Sequence, residues 1–130
     1  MDFLMDTHTL IWFIEASSKI PHNVREMLTQ PDVTVYLSSV SLWEIAIKSS
    51  LGKLDLKASF NKLLLDLYNT DIAILQIEDE YLKILHKLPW IHRDPFDRLI
   101  ISTALSEGLT IVTADEAIQK YDVAWAWNAK

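Results

Sequence analysis

Cysteine is absent from the 130 residues, glycine occurs only twice and proline four times. Without thiols no disulfide and no thiolate metal site can form, so any bound metal must be held by oxygen or imidazole. So little glycine and proline excludes collagen-like and low-complexity organisation, and no stretch reads as a linker. Long hydrophobic runs are missing too, since none approaches the roughly 20 residues that span a bilayer. The opening Met-Asp-Phe-Leu-Met-Asp lacks the basic start and apolar run of a secretory signal, so a cytoplasmic protein with no membrane contact is expected. Positive charge is scarce: 12 Lys and Arg stand against 18 Asp and Glu, giving a net −6. Such a balance counts against nucleic-acid binding unless several acids gather around divalent cations, whose own charge then dominates the local field.

What is present points to a packed protein. Half the residues are hydrophobic and 23% are charged, and the length suits one domain over 1–130 with a sizeable core. Residues 3–5 form a short apolar strand and 9–16 a largely apolar run too long for one, hence a buried helix. Pro21 starts a second helix carrying Val24, Met27 and Leu28, and 34–37 is a β-branched and aromatic strand. A helix over 41–51 ends at Gly52, with Lys48 in its last turn. Apolar residues at 60, 63, 64, 67 and 68 have helical spacing; 72–77 reads as a strand and 78–88 as a helix ending near Pro89. Asp94-Pro95 pairs a cap with proline at the first helical position, and this helix runs to Gly108. A strand over 110–113, a short helix over 115–120 and a possible strand over 123–127 complete the chain. Apolar strands alternating with helices predict an α/β protein, a three-layer α/β/α sandwich around a mainly parallel sheet.

In such sheets ligands gather beyond the carboxyl ends of the strands. Asp6 directly follows the first strand, Glu44 lies early in the helix after the second, Asp97 opens the helix beginning at Pro95, and Asp115 follows the strand over 110–113. Four convergent carboxylates suit a hard divalent cation, which takes oxygen ligands. Each acid also has a local reading. Ser41-Leu-Trp-Glu44 matches a capping box, Asp94 and Asp97 suit a helix start, and Asp6 and Asp115 could be turn residues. Asp94 reads as cap more than ligand. Convergence without a cation would raise at least one pKa, so a metal, or a basic side chain in its place, is expected.

Met5-Asp6-Thr7-His8-Thr9-Leu10-Ile11-Trp12, then 38–48 (Ser-Ser-Val-Ser-Leu-Trp-Glu-Ile-Ala-Ile-Lys) with Gly52-Lys53-Leu54, resemble PIN-domain toxins of the VapC type. So do His92-Arg93-Asp94-Pro95-Phe96-Asp97-Arg98-Leu99-Ile100-Ile101 and Val112-Thr113-Ala114-Asp115, in the same order along nearly the whole chain. The resemblance implies an endoribonuclease dependent on Mg2+ or Mn2+. It further implies a homodimer and a partner antitoxin that inserts a segment into the active-site groove. The family's four acids fall on Asp6, Glu44, Asp97 and Asp115, as catalytic residues and metal ligands. A supporting hydroxyl after the last strand falls on Thr113, and one near the first acid on Thr7.

Arg98, Arg93 and Lys48 flank the acids as candidates for gripping RNA phosphates or balancing the acids; Arg98 is the better RNA candidate, while Lys48 reads more as the partner of Glu44 in an ordinary helix ion pair. The four histidines show no clear metal spacing, and His8 reads as structural or groove-lining. Trp12 and Trp43 read as core; Trp90, in a polar loop, could meet RNA or a partner; Trp125 and Trp127 read as packing at the sheet edge. The helix over 60–68 is one candidate for a dimer or antitoxin contact, and its apolar face equally suits the core. A receiver domain is disfavoured because Asp6 stands alone where paired acids are needed. A haloacid-dehalogenase-like phosphatase is disfavoured because His8 takes the place of a second aspartate. The stronger alternative is an inactive PIN fold that only binds RNA or protein.

Overall fold

A computed structural model describes residues 2–127; the outermost ends of the expected 1–130 domain span lie outside them. The elements in chain order are β1 (Phe3–Met5), α1 (Thr7–Ile14), α2 (His22–Leu28), β2 (Val35–Ser38), α3 (Ser39–Ser50) and α4 (Phe60–Tyr68). They continue with β3 (Ala73–Leu75), α5 (Asp79–Lys87), α6 (Pro95–Glu107), β4 (Thr110–Val112), α7 (Glu116–Gln119) and β5 (Trp125–Ala126). Every expected element is found, with shifts of a few residues at the ends, and side-chain caps explain the starts of α1 and α3. Helix α1 starts earlier than the apolar run because Asp6 caps it, its Oδ1 accepting the Thr9 N–H at 2.9 Å. Helix α3 starts at Ser39 because Ser38, not Ser41, is its cap and accepts the Val40 N–H at 3.2 Å. Gly108 ends α6 in the left-handed region, φ 68°, where a residue without Cβ is least strained.

The five strands lie in the order β3-β2-β1-β4-β5, and every adjacent pair is parallel. Side chains alternate across a strand, and in β1 both sides are buried. Phe3 and Met5 enter a core with Leu10, Val24, Ile45 and Leu67, against α1–α4. Leu4 enters the opposite core with Tyr81, Ile100, Ile111 and Ile118, against α5–α7. Helices thus cover both faces, which is the three-layer arrangement. No helix among the described residues is long and apolar enough to cross a membrane.

The strand order positions the site. The chain winds from β1 to β3 on one side, then returns to β4 and β5 on the other, so the winding reverses between β1 and β4. Connections leaving the carboxyl ends of these neighbours diverge and leave a crevice there. Asp6 follows β1 and Thr113 and Asp115 follow β4, so two of the acids flank this point on the shortest of tethers.

Candidate active site

Threonine hydroxyls hold the first, second and last acids. Thr113 Oγ1 donates to Asp6 Oδ2 at 2.5 Å and accepts the Asp115 N–H at 2.9 Å, so one hydroxyl ties the end of β1 to the end of β4. Asp115 then caps α7, accepting the Ala117 N–H at 2.8 Å. Thr7 Oγ1 donates to Glu44 Oε1 at 2.6 Å and lies 3.0 Å from Ser41 Oγ. Thr7 therefore serves the second acid rather than the first, as α1 passes beside α3. The capping-box reading of Glu44 is corrected here: its oxygens meet Thr7 and Lys48, and it lies five residues beyond the serine that starts its helix.

Two basic side chains complete the cluster. Lys48 Nζ bonds Glu44 Oε2 and also lies 3.0 Å from Asp94 Oδ2. Partial burial works against the ammonium, but the bonds and attraction from Glu44 and Asp94 outweigh it and raise its pKa. Burial likewise works against the Asp94 charge, yet Lys48 and the N–H groups at the start of α6 lower its pKa overall. Asp94 is the cap of α6, accepting the Phe96 N–H at 2.8 Å. His92 is the residue that spacing did not single out. Its Nε2 lies 3.0 Å from Asp97 Oδ2 and 3.2 Å from Asp115 Oδ2, while its Nδ1 accepts the Asp94 N–H at 3.1 Å. An accepting Nδ1 carries no proton, so the ring proton sits on Nε2 and faces both carboxylates. The only sequence signal was its place in the His92-to-Ile101 motif.

Asp97 registers the convergence of the acids. Burial first, then the charges of Asp94, Glu44, Asp6 and Asp115, push its carboxyl up to about 8. Burial also raises Asp6, against the bonds from Thr113 and Thr9 that favour its charged form. A site that makes a carboxylate this reluctant to ionise is short of positive charge. The donor set fits a hard divalent cation: oxygen ligands predominate, and ligand atoms of Asp97, Asp115 and His92 lie within 4.8 Å of one another. Because His92 Nε2 carries its proton, the carboxylates rather than the imidazole are suited to the cation. Asp6 and Asp115 line an open cleft of about 270 Å³ with His8, Trp12 and Ala114.

The flanking cations divide. Arg93, next to Asp94 in the chain, is exposed. Arg98, expected on RNA, is 3% exposed. Its guanidinium donates to the carbonyls of Pro89 at 2.8 Å and Leu88 at 3.1 Å, lies 3.3 Å from the Tyr121 hydroxyl, and stacks on the Trp90 ring at 3.7 Å. Its guanidinium is engaged by the loop between α5 and α6 and by Tyr121, because α6 turns the residue after Asp97 inward. Trp43, expected in the core, is 60% exposed and packs edge-on against Phe96. Its neighbour Glu44 takes the inward position instead, and the polar site displaces the apolar ring. Trp12 is half-buried, between His8 and Trp127, and Trp90 is exposed over Arg98.

This arrangement can be compared with known proteins. The PIN-domain family model matches residues 3–124. The chain belongs to the PIN-domain family. No curated protein matches the sequence of this PIN domain. Among solved structures, it is similar to a chain in the crystal structure of VapBC2 from Rickettsia felis bound to a DNA fragment from its promoter. That match has a TM-score of 0.73 and 20% identity over 97% of this chain and 98% of the other. It is also similar to a chain of VapBC-1 from nontypeable Haemophilus influenzae, with a TM-score of 0.67 and 18% identity over 97% of each chain. A third is VapBC-5 from Mycobacterium tuberculosis, a member of the VapBC family of toxin-antitoxin systems. There the TM-score is 0.60 and the identity 19%, over 96% of the PIN domain and 95% of that chain. At these identities the likeness is one of fold.

Proposed function

We propose that this PIN domain is a divalent-metal-dependent endoribonuclease, the toxin of a toxin–antitoxin pair. The observation that carries the reading is the convergence of Asp6, Glu44, Asp115 and Asp94 on the partly buried Asp97, whose carboxyl they and desolvation push up to about 8. Mg2+ or Mn2+ bound among Asp6, Glu44, Asp97 and Asp115 supplies neutralisation of phosphate charge and a lowered pKa for water. The chain's own part is preorganisation. Thr113 keeps Asp6 and Asp115 at a fixed separation, Thr7 does the same for Glu44 relative to α1, and the Nε2–H of His92 orients Asp97 and Asp115. Lys48 and Asp94 form an ion pair that locks α3 to the start of α6. Arg93, exposed beside the acids, is the flanking cation free to meet a phosphate.

The toxin assignment rests on the sequence resemblance, with support from the shared fold of VapBC proteins. It carries with it a small antitoxin seated in the groove, a homodimer and a cytoplasmic location. Helix α4, which buries Leu63 and Leu67 but exposes Leu65 and Tyr68, is the face offered for a protein contact.

The test is incubation of partner-free protein with a mixed structured-RNA pool in magnesium, manganese or EDTA, beside Asp6→Asn and Asp97→Asn. Fragments bearing 5′-phosphates should appear with metal, vanish in EDTA, and fall at least about a hundredfold in either variant. Folded protein that cuts in no metal would instead favour the binding-only module.

A further inference from the structure

A second cleft, of about 530 Å³, continues from the acid site, and the two share His8 and Trp12. Beyond these rings it reaches Lys19, between α1 and α2, and Lys53 and Lys57, between α3 and α4. The sequence pattern did not single out this convergence. All three lysines are exposed, and none of their ammonium groups forms an ion pair among the described residues. Lys19 Nζ lies 5.6 Å from the centre of the Trp12 ring, and His8 and Trp12 have ring centres 5.8 Å apart at 46°.

The acids in the same cleft are Glu15 and Asp55. Glu15 Oε2 is already engaged by the Lys57 backbone N–H at 2.8 Å, and Asp55 is exposed. In a chain of net charge −6, three unpaired lysines beside aromatic rings at the mouth of a carboxylate site form a local reversal of sign. A single-stranded nucleic acid presents what such a wall would meet, a row of phosphates and bases whose faces are free to stack. A duplex hides those faces. An acidic peptide would match the lysines alone, but continuity with the acid site favours a ligand whose phosphate also has to reach the acids.

We propose that this cleft is the track of a single-stranded RNA segment adjoining the phosphate at the acid site, with Lys19, Lys53 and Lys57 on phosphates and His8 and Trp12 under bases. The inference rests on the ribonuclease reading for its substrate but not for its test, which measures binding without cleavage. A fluorescein-labelled ten-nucleotide single-stranded RNA is titrated in EDTA across a KCl series, and binding is followed by anisotropy. Replacing the lysines together, Lys19→Gln, Lys53→Gln and Lys57→Gln, should weaken binding at least tenfold at low salt. It should also make the plot of log K against log salt shallower by about 2, at roughly 0.7 per phosphate contact. Lys83→Gln with Lys87→Gln, on α5, should leave that slope unchanged. His8→Ala, at an exposed position, should weaken binding about fivefold or more with the slope intact, as loss of stacking does.

No binding by the parent chain at low salt overturns the proposal, and so does an unchanged slope in the triple variant. Displacement of the RNA by an acidic peptide that binds the parent but not the triple variant, while the RNA slope is unaffected, assigns the wall to protein and also overturns it. A chain that binds through the lysines yet never cuts sinks the nuclease reading and leaves the track standing. Cutting that is indifferent to the lysines does the reverse.

Discussion

Thr113 shows how much of the site rests on one hydroxyl. It is fully buried, donates to Asp6 and accepts from the Asp115 backbone, so Thr113→Val keeps the shape while leaving an acceptor and a donor unmatched. Loss of about 1–3 kcal/mol in a denaturant melt is expected. Metal-dependent cleavage should fall with it, because Asp6 and Asp115 lose their common reference. A Val variant as stable as the parent would mean that the hydroxyl is not holding the two acids together. At this scale Asp6, Asp97 and Asp115 were legible in sequence as acids next to a strand end or helix start, while Glu44, in the second turn of α3, was picked out by following the second strand and by the motif around it. His92 was not, because its partners arrive from Asp97 and Asp115, with no period linking them.

Arg98 shows where element-level reasoning was incomplete. Its position after Asp97 suggested phosphate, but α6 is buried along Arg98, Leu99, Ile100 and Ile101, and the side chain enters the protein under the loop that ends α5. That loop carries Trp90 and His92. Arg98→Met should therefore destabilise the fold by about 3 kcal/mol, as the carbonyls of Leu88 and Pro89 lose a charged donor. The salt dependence of RNA binding should stay as in the parent. A stable Arg98→Met protein with a shallower salt slope would restore the phosphate role. The elements themselves were nearly all readable from periodicity and from Pro, Gly and cap residues. Their first residues were less so, because the caps are Asp6 and Ser38, residues equally at home ending a strand.

At the scale of the whole molecule, the acid cluster makes stability depend on pH and metal. The Asp97 carboxyl, ordinarily at 3.8, titrates at about 8 in the folded chain. Below pH 4 both folded and unfolded forms hold that proton. As pH rises towards 8 the unfolded chain has released it while the folded chain must still do so, and stability falls. Asp6, raised mainly by burial, acts in the same direction. In EDTA the melting temperature should thus drop between pH 6 and pH 8, and Asp97→Asn should remove most of the drop. Magnesium should raise the melting temperature more at pH 8 than at pH 6, where it must displace a proton. A melting temperature in EDTA that is flat or rises over this interval would contradict a site held short of positive charge.

The sequence by itself determined the alternation of strand and helix, the parallel sheet with both faces covered and the placement of acids at strand ends, because these follow from local period and local capping. The motifs over 5–12, 38–48 and 92–101 carried the family. Only the tertiary structure decided which cation answers which acid, that Arg98 turns inward while Trp43 turns out, and that lysines from two separate connections line one wall with Trp12. Those outcomes depend on where α3 meets α6 and where the connections after α1 and α3 meet. Burial and charge are then settled by neighbours far away in the chain.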